Sequence, residues 1–131
     1  MKLYKKIFLL FFIFEASSLY ASNYEYSGSC RFLGYMDEFE ICLNKELANY
    51  DKKLNKLYRT LYSRSHNQNL KKIEGLWIKF KEADCSFIAK EVHGGLYYQI
   101  VYKACLINKT KARTADLKRS LFYSGWFEKN T

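Results

Sequence analysis

The side chains able to do chemistry in this chain are few and widely spaced: four cysteines, two histidines and thirteen carboxylates among 131 residues. A zinc site wants close Cys-x-x-Cys or His pairs, whereas Cys30, Cys42, Cys85 and Cys105 lie far apart and His66 is distant from His93. No metal and no cofactor is therefore expected. A Gly-x-Ser-x-Gly nucleophile elbow is missing, and neither histidine has a triad context. The remaining candidates are Glu82 and Asp84, but carboxylates two apart on a helix point to different sides and do not form the facing pair that glycoside hydrolysis needs. They are read as members of a buried ionic cluster with Arg113 or Lys81. No residue is assigned a catalytic role.

The cysteines do structural chemistry instead. From Trp77 to Cys105 the chain reads as two helices folded back on each other at Gly94-Gly95, with Cys85 and Cys105 nearly equidistant from Gly95. In an antiparallel hairpin such positions lie side by side, so Cys85 is expected to bridge Cys105. Four cysteines allow three connectivities; choosing this one leaves Cys30 with Cys42. By the chain-entropy argument, closing loops of about 13 and 21 residues stabilises the fold by roughly 3 kcal/mol each.

The elements that must hold these bridges are helical. Proline is absent, which suits long uninterrupted helices. After an extended arm over residues 22–36, a first helix starts near Asp37, a candidate N-cap with Glu38 and Glu40 in the first turn. Leu43, Leu47, Tyr50, Leu54, Leu57 and Leu61 recur at steps of four and three, marking one apolar stripe, with Lys45, Lys52, Lys53, Asn55, Lys56 and Arg59 on the opposite, solvated side. Residues Ser63 to Asn69 read as a loop, with Asn67 or Asn69 capping the next helix. That helix shows a broad face of Leu70, Ile73, Trp77, Phe80, Asp84 and Phe87, widened by Leu76 and Ile88. A third helix runs from about Leu96 to Leu121, with Ile100, Val101, Ala104, Cys105, Leu106, Leu117 and Leu121 as its core side, and an aromatic tail occupies residues 122–131. The fold class is thus all-α: a small bundle of three main helices containing a helical hairpin and stapled by two disulfides.

The first residues place Lys2, Lys5 and Lys6 before the apolar run Ile7 to Phe14, followed by small residues. This is the layout of a signal peptide over residues 1–21, and the run is well short of the roughly 20 apolar residues of a membrane span. Residues 22–131 then form one exported domain, periplasmic or secreted, with no transmembrane anchor after cleavage. Removing three lysines and one glutamate lowers the formal charge from +9 to about +7, a field that favours anionic partners. In an exported protein nucleic acid is not among them.

One ordered set of residues carries a resemblance. Glu40-Ile41-Cys42, Glu46-Leu47-Ala48, Asp51, Leu54 and Tyr58 are followed by Trp77, Phe80, Lys81, Glu82 and Cys85, then by Gly94, Gly95, Cys105, Thr110, Arg113 and Leu117. In this order and spacing the chain resembles the LprI-like domain of lysozyme inhibitors, a small exported helical domain. The resemblance implies a binding protein without enzymatic activity, whose partner is a lysozyme or another peptidoglycan hydrolase blocked at its cleft. Exposure and polarity then nominate contact residues in the loops, His66 and Asn67 in the first and His93, Tyr97 and Tyr98 at the hairpin turn, and the aromatic cluster of the tail adds Trp126. The alternative is an envelope module, without inhibitor activity, for an anionic glycan, a lipid head group or an acidic protein.

Overall fold

A computed structural model describes residues 26–92 and 94–130, with side chains up to Leu121. Three helices account for nearly all of it: α1 over Met36–Ser65, α2 over Gln68–Ala89 and α3 over Gly95–Asn130. There is no strand among the described residues, so the all-α class stands. The stretch read as a signal peptide lies outside the described residues.

The helices run up, down and up, because the two connections are short. The first is tighter than the seven-residue loop expected from the sequence. Helix α1 continues to Ser65, and only His66 and Asn67 intervene before α2. His66 takes the left-handed conformation (φ 49°) as the C-cap, donating its backbone N–H to the Tyr62 carbonyl at 2.8 Å. Asn67 is the N-cap of α2, its Oδ1 accepting from the Asn69 N–H at 2.9 Å. At the other end of the bundle Gly94 and Gly95 turn the chain with φ of 62° and 64°, values at which a side chain would strain the backbone. The helix starts differ slightly from expectation. Tyr35, not Asp37, is the N-cap of α1, and Asp37 and Glu38 sit in the first turn, where the helix dipole favours them. Helix α3 runs on to Asn130, through the residues set apart in sequence as a tail.

Helix α3 packs along α1 most extensively and along α2 next. The core forms three clusters against it. Leu43 and Ile107 meet Cys30 on the α1 side, Cys85 and Cys105 meet Leu106 at the same level on the α2 side, and Leu54 and Leu61 meet Leu117 near the first turn. The expected α1 stripe is the buried one, and its lysine-rich face is exposed. In α3 the reading missed Ile107 and Thr110, both fully buried. Both disulfides form with the expected partners: Cys30 to Cys42 with Cα atoms 5.8 Å apart, and Cys85 to Cys105 at 5.5 Å.

The arm before α1 has its own anchor. Glu46, buried on α1, accepts from the Tyr26 hydroxyl, from the Ser29 N–H at 2.8 Å and from the Ser29 hydroxyl at 3.0 Å. Tyr26 in turn accepts from the Cys30 N–H at 2.9 Å. One residue on, Ser27 donates its N–H and hydroxyl to Asn108 of α3, and Lys111 donates to the Ser27 carbonyl at 2.6 Å. The arm therefore crosses from α1 to α3 and closes their shared seam.

The protonation states in this anchor set a pH window. Burial would by itself raise the Glu46 carboxyl, but hydrogen bonds from Tyr26 and Ser29 outweigh it and hold the group below its usual 4.5. Burial and the neighbouring Glu46 carboxylate push Tyr26 up from 10.0 to about 12. The Glu46 contribution is thus present above pH 4.5 and lost as pH falls through its lowered value; that of Tyr26 is present below pH 10.0 and lost as pH rises through about 12. Removing the hydroxyl in Tyr26→Phe is expected to destabilise the protein by about 1–2 kcal/mol and to remove the Tyr26 share of the alkaline limb, leaving that of Tyr102, which burial also raises. Amide hydrogen exchange at Ser29 and Cys30 reads this directly, and exchange as slow as in the parent would show that the anchor is unimportant.

Candidate binding surface

The strongest polar feature of the bundle surrounds Trp77. The disulfide sets the register that builds it. Arg113 lies eight residues past Cys105 and Trp77 eight before Cys85, so the two face each other across the α2–α3 seam. The Arg113 guanidinium sits 5.9 Å from the centre of the indole and reaches one turn back to Glu74, donating from Nε at 3.1 Å and Nη2 at 2.8 Å. Lys81, one turn further along α2, places Nζ 4.7 Å from the same ring and 3.6 Å from the Asp51 carboxylate of α1. Trp77 is thus flanked by two cations, and each cation is tied to a carboxylate. This arrangement fixes α2 against both neighbours.

The ionic cluster expected of Glu82, Asp84 and Arg113 does not form. Asp84 pairs with Lys109 at 2.6 Å, Glu82 is exposed, and Arg113 takes Glu74 instead. The hairpin register places Asp84 beside Lys109, four residues past Cys105, which is too far along α3 from Arg113. Other carboxylates are also engaged: Glu40 with Lys103 and Asp116 with Arg119. Among the described residues no group of three His, Cys, Asp or Glu could hold a metal ion.

Helix α2 also turns a different face inward than expected. The buried side consists of Glu74, Lys81, Cys85 and Ala89, with Leu70, Trp77 and Ile88 partly covered. Ile73, Leu76, Phe80 and Phe87, taken as core from their spacing, are all at least half exposed. The helix is rotated by about a quarter turn relative to the apolar count because Glu74 and Lys81 enter the interior with their charge partners.

The residues nominated for partner contact fall at two ends of the molecule. His66 and Asn67 form the exposed α1–α2 turn. Tyr97 and Tyr98 start α3 at the opposite end, the length of α2 away, about 33 Å for 22 residues. Tyr97 is exposed; Tyr98 is half-buried, bonded to the Ser86 hydroxyl at 3.1 Å and stacked on Tyr102. His93 and the side chain of Trp126 lie outside the described residues. The fold therefore does not gather the nominated side chains into one site, and each end is a separate surface.

Fold and surface together define a small disulfide-stapled helical scaffold whose charged side chains pin its helices together. Residues 35–117 match the family model described as Lysozyme inhibitor LprI, and the chain belongs to this family. An uncharacterized protein of Rhizobium meliloti (strain 1021) is 26% identical over 105 residues, covering 68% of this chain and 76% of the relative. No solved structure matches the chain significantly. The family is one of inhibitor domains and not of enzymes. Its matched stretch contains the second bridge, the Trp77 cluster and Glu46. No helix among the described residues is long and apolar enough to cross a membrane.

Proposed function

We propose that this protein is exported and acts by binding a lysozyme or another peptidoglycan hydrolase and occluding its cleft. The observation that carries the reading is the match to the lysozyme-inhibitor family over residues 35–117. The fold supports it in one respect: the short turns at the two ends of the bundle are held by helices that are cross-linked and ion-paired, so a bound partner would order little chain. The partner's contacting face is expected to be neutral or acidic, because like charges slow the encounter with a strongly basic chain.

The test is a cell-wall lysis assay with the oxidised protein and its turn variants. His66→Asp with Asn67→Asp keeps residues that accept a left-handed φ and an N-cap while reversing the character of the turn. Tyr97→Glu does the same at the other end. One of the two variants is expected to weaken inhibition roughly tenfold or more, as loss of a central contact does, with helicity unchanged. Undiminished inhibition in both would move the interface elsewhere; no inhibition of any hydrolase by the parent protein would end the reading.

A further inference from the structure

We propose that the outer face of α2 docks the protein peripherally on an anionic lipid surface, with Ile73, Leu76, Phe80 and Phe87 entering the acyl boundary and lysines beside them holding phosphate head groups. Steps of three, four and seven residues, the last bridged by Ala83, place these side chains in one row along the helix. The row is about 21 Å long at 1.5 Å per residue. Its members are 50%, 58%, 58% and 65% exposed. A row of four large apolar side chains with this exposure is unusual for an unpartnered surface helix and marks a contact face.

Charge decides what the face meets. At helical spacing Lys72, Lys79 and Lys90 follow one edge of the row. Across it, Lys109 of α3 holds Nζ 5.0 Å from the centre of the Phe80 ring and is paired with Asp84, so the free cations lie along the Lys72 edge. Beside Leu76 there is an open hollow of about 420 Å³ lined by Gln68, Lys71, Lys72, Gly75 and Lys79. Gly75 faces open space in it, since a Cβ there would meet nothing within 4 Å. Among the described residues Lys71, Lys72, Lys79 and Lys90 make no ion pair, so their charges are free for an anion. An apolar row edged by cations is the pattern of a helix lying in a membrane interface. A second copy fits less well. Antiparallel pairing of two such rows would set Lys72 near Lys90 of the other copy and Lys79 near its own counterpart.

Vesicle flotation tests the proposal, with phosphatidylglycerol in phosphatidylcholine against phosphatidylcholine alone. The oxidised protein is expected to float with the anionic vesicles only. Both Phe80→Asp/Phe87→Asp and Lys72→Glu/Lys79→Glu should reduce the floated fraction about tenfold, since each lysine near an anionic surface and each buried aromatic adds to binding. All four substituted positions are exposed, so circular dichroism should be unchanged. Parent and variants are compared as the exported form without residues 1–21, so the apolar run Ile7 to Phe14 takes no part in flotation. Three results would overturn the proposal: no flotation of the parent, equal flotation on neutral vesicles, or flotation that both double variants retain. Sedimentation equilibrium provides a further check, because a dimer dissolved by Phe80→Asp/Phe87→Asp would make a second copy the occupant.

Discussion

Alanine at Arg113 is expected to destabilise the protein by about 3–5 kcal/mol, among the largest effects of any single substitution. The cost arises less from the attraction that is lost than from what is left behind. Glu74 is only 6% exposed and both donors from Arg113 fall on its Oε2. Without them a carboxylate is left in the α2–α3 seam without its charged partner, and that uncompensated burial favours opening of the seam. Trp77 also loses the guanidinium over its ring. The control is the double substitution Glu74→Leu with Arg113→Met, which removes both charges and keeps the volume. It is expected to be far milder, within about 1–2 kcal/mol of the parent, because desolvation offsets much of the attraction in a buried pair. Chemical denaturation followed by far-ultraviolet circular dichroism measures both. Equal losses in the single and double variants would show that side-chain packing, and not an orphaned charge, holds the seam. Arg113→Lys is informative too: a compact ammonium lacks the planar fork that donates from two nitrogens to Glu74 while lying beside the indole, so part of the loss should persist.

The same pair shows where reading the chain as a string falls short. The α1 stripe was legible because the inward positions from Leu43 to Leu61 are apolar or aromatic except Glu46, which the arm covers, and a count of spacings finds it. The hairpin and its bridge were legible because Cys85 and Cys105 stand equally far from Gly95, a relation that geometry alone turns into proximity. Helix α2 was misread for the converse reason. Its interior positions include Glu74 and Lys81, which are burial-competent only because Arg113 and Asp51 await them on other helices. A count of hydrophobic residues cannot see such partners, so it chose Ile73, Phe80 and Phe87, which face outward. The register that pairs Arg113 with Glu74 was latent in the bridge. Stepping equal distances from Cys85 and Cys105 leads to Trp77 and Arg113, and Glu74 is one turn away. The first loop was overestimated because Ser63, Arg64 and Ser65 have no periodicity yet extend α1; a non-periodic segment can still be helical when its ends are capped. Contact residues were legible only as exposed positions. Exposure says which side chains are free to meet a partner, and the fold adds that those at the first turn and those at the hairpin cannot meet the same small surface.

Replacing Cys85 and Cys105 together by alanine is expected to lower stability by about 3 kcal/mol or more, exceeding the loss from the same change at Cys30 and Cys42. Two physical differences separate the bridges. The first is loop length, with 20 residues spanned against 12, which matters only logarithmically and predicts a small gap. The second is position. Cys85 is fully buried in the core cluster that includes Leu106, and its removal leaves a void between α2 and α3 where both sulfurs were packed. Cys30 pins the arm, which Glu46, Asn108 and Lys111 also hold, so the arm has other attachments when that bridge is gone. The bridge at Cys85 additionally fixes the register on which the Arg113–Glu74 pair depends. Loss of the two should therefore not be additive: in the Cys85→Ala/Cys105→Ala background, Arg113→Ala is expected to cost less than its cost in the parent, since residues sharing one seam couple energetically. A thermodynamic cycle of these variants measures the coupling. Strict additivity would mean that helix packing alone aligns α2 with α3 and that the cross-link merely shortens the unfolded chain.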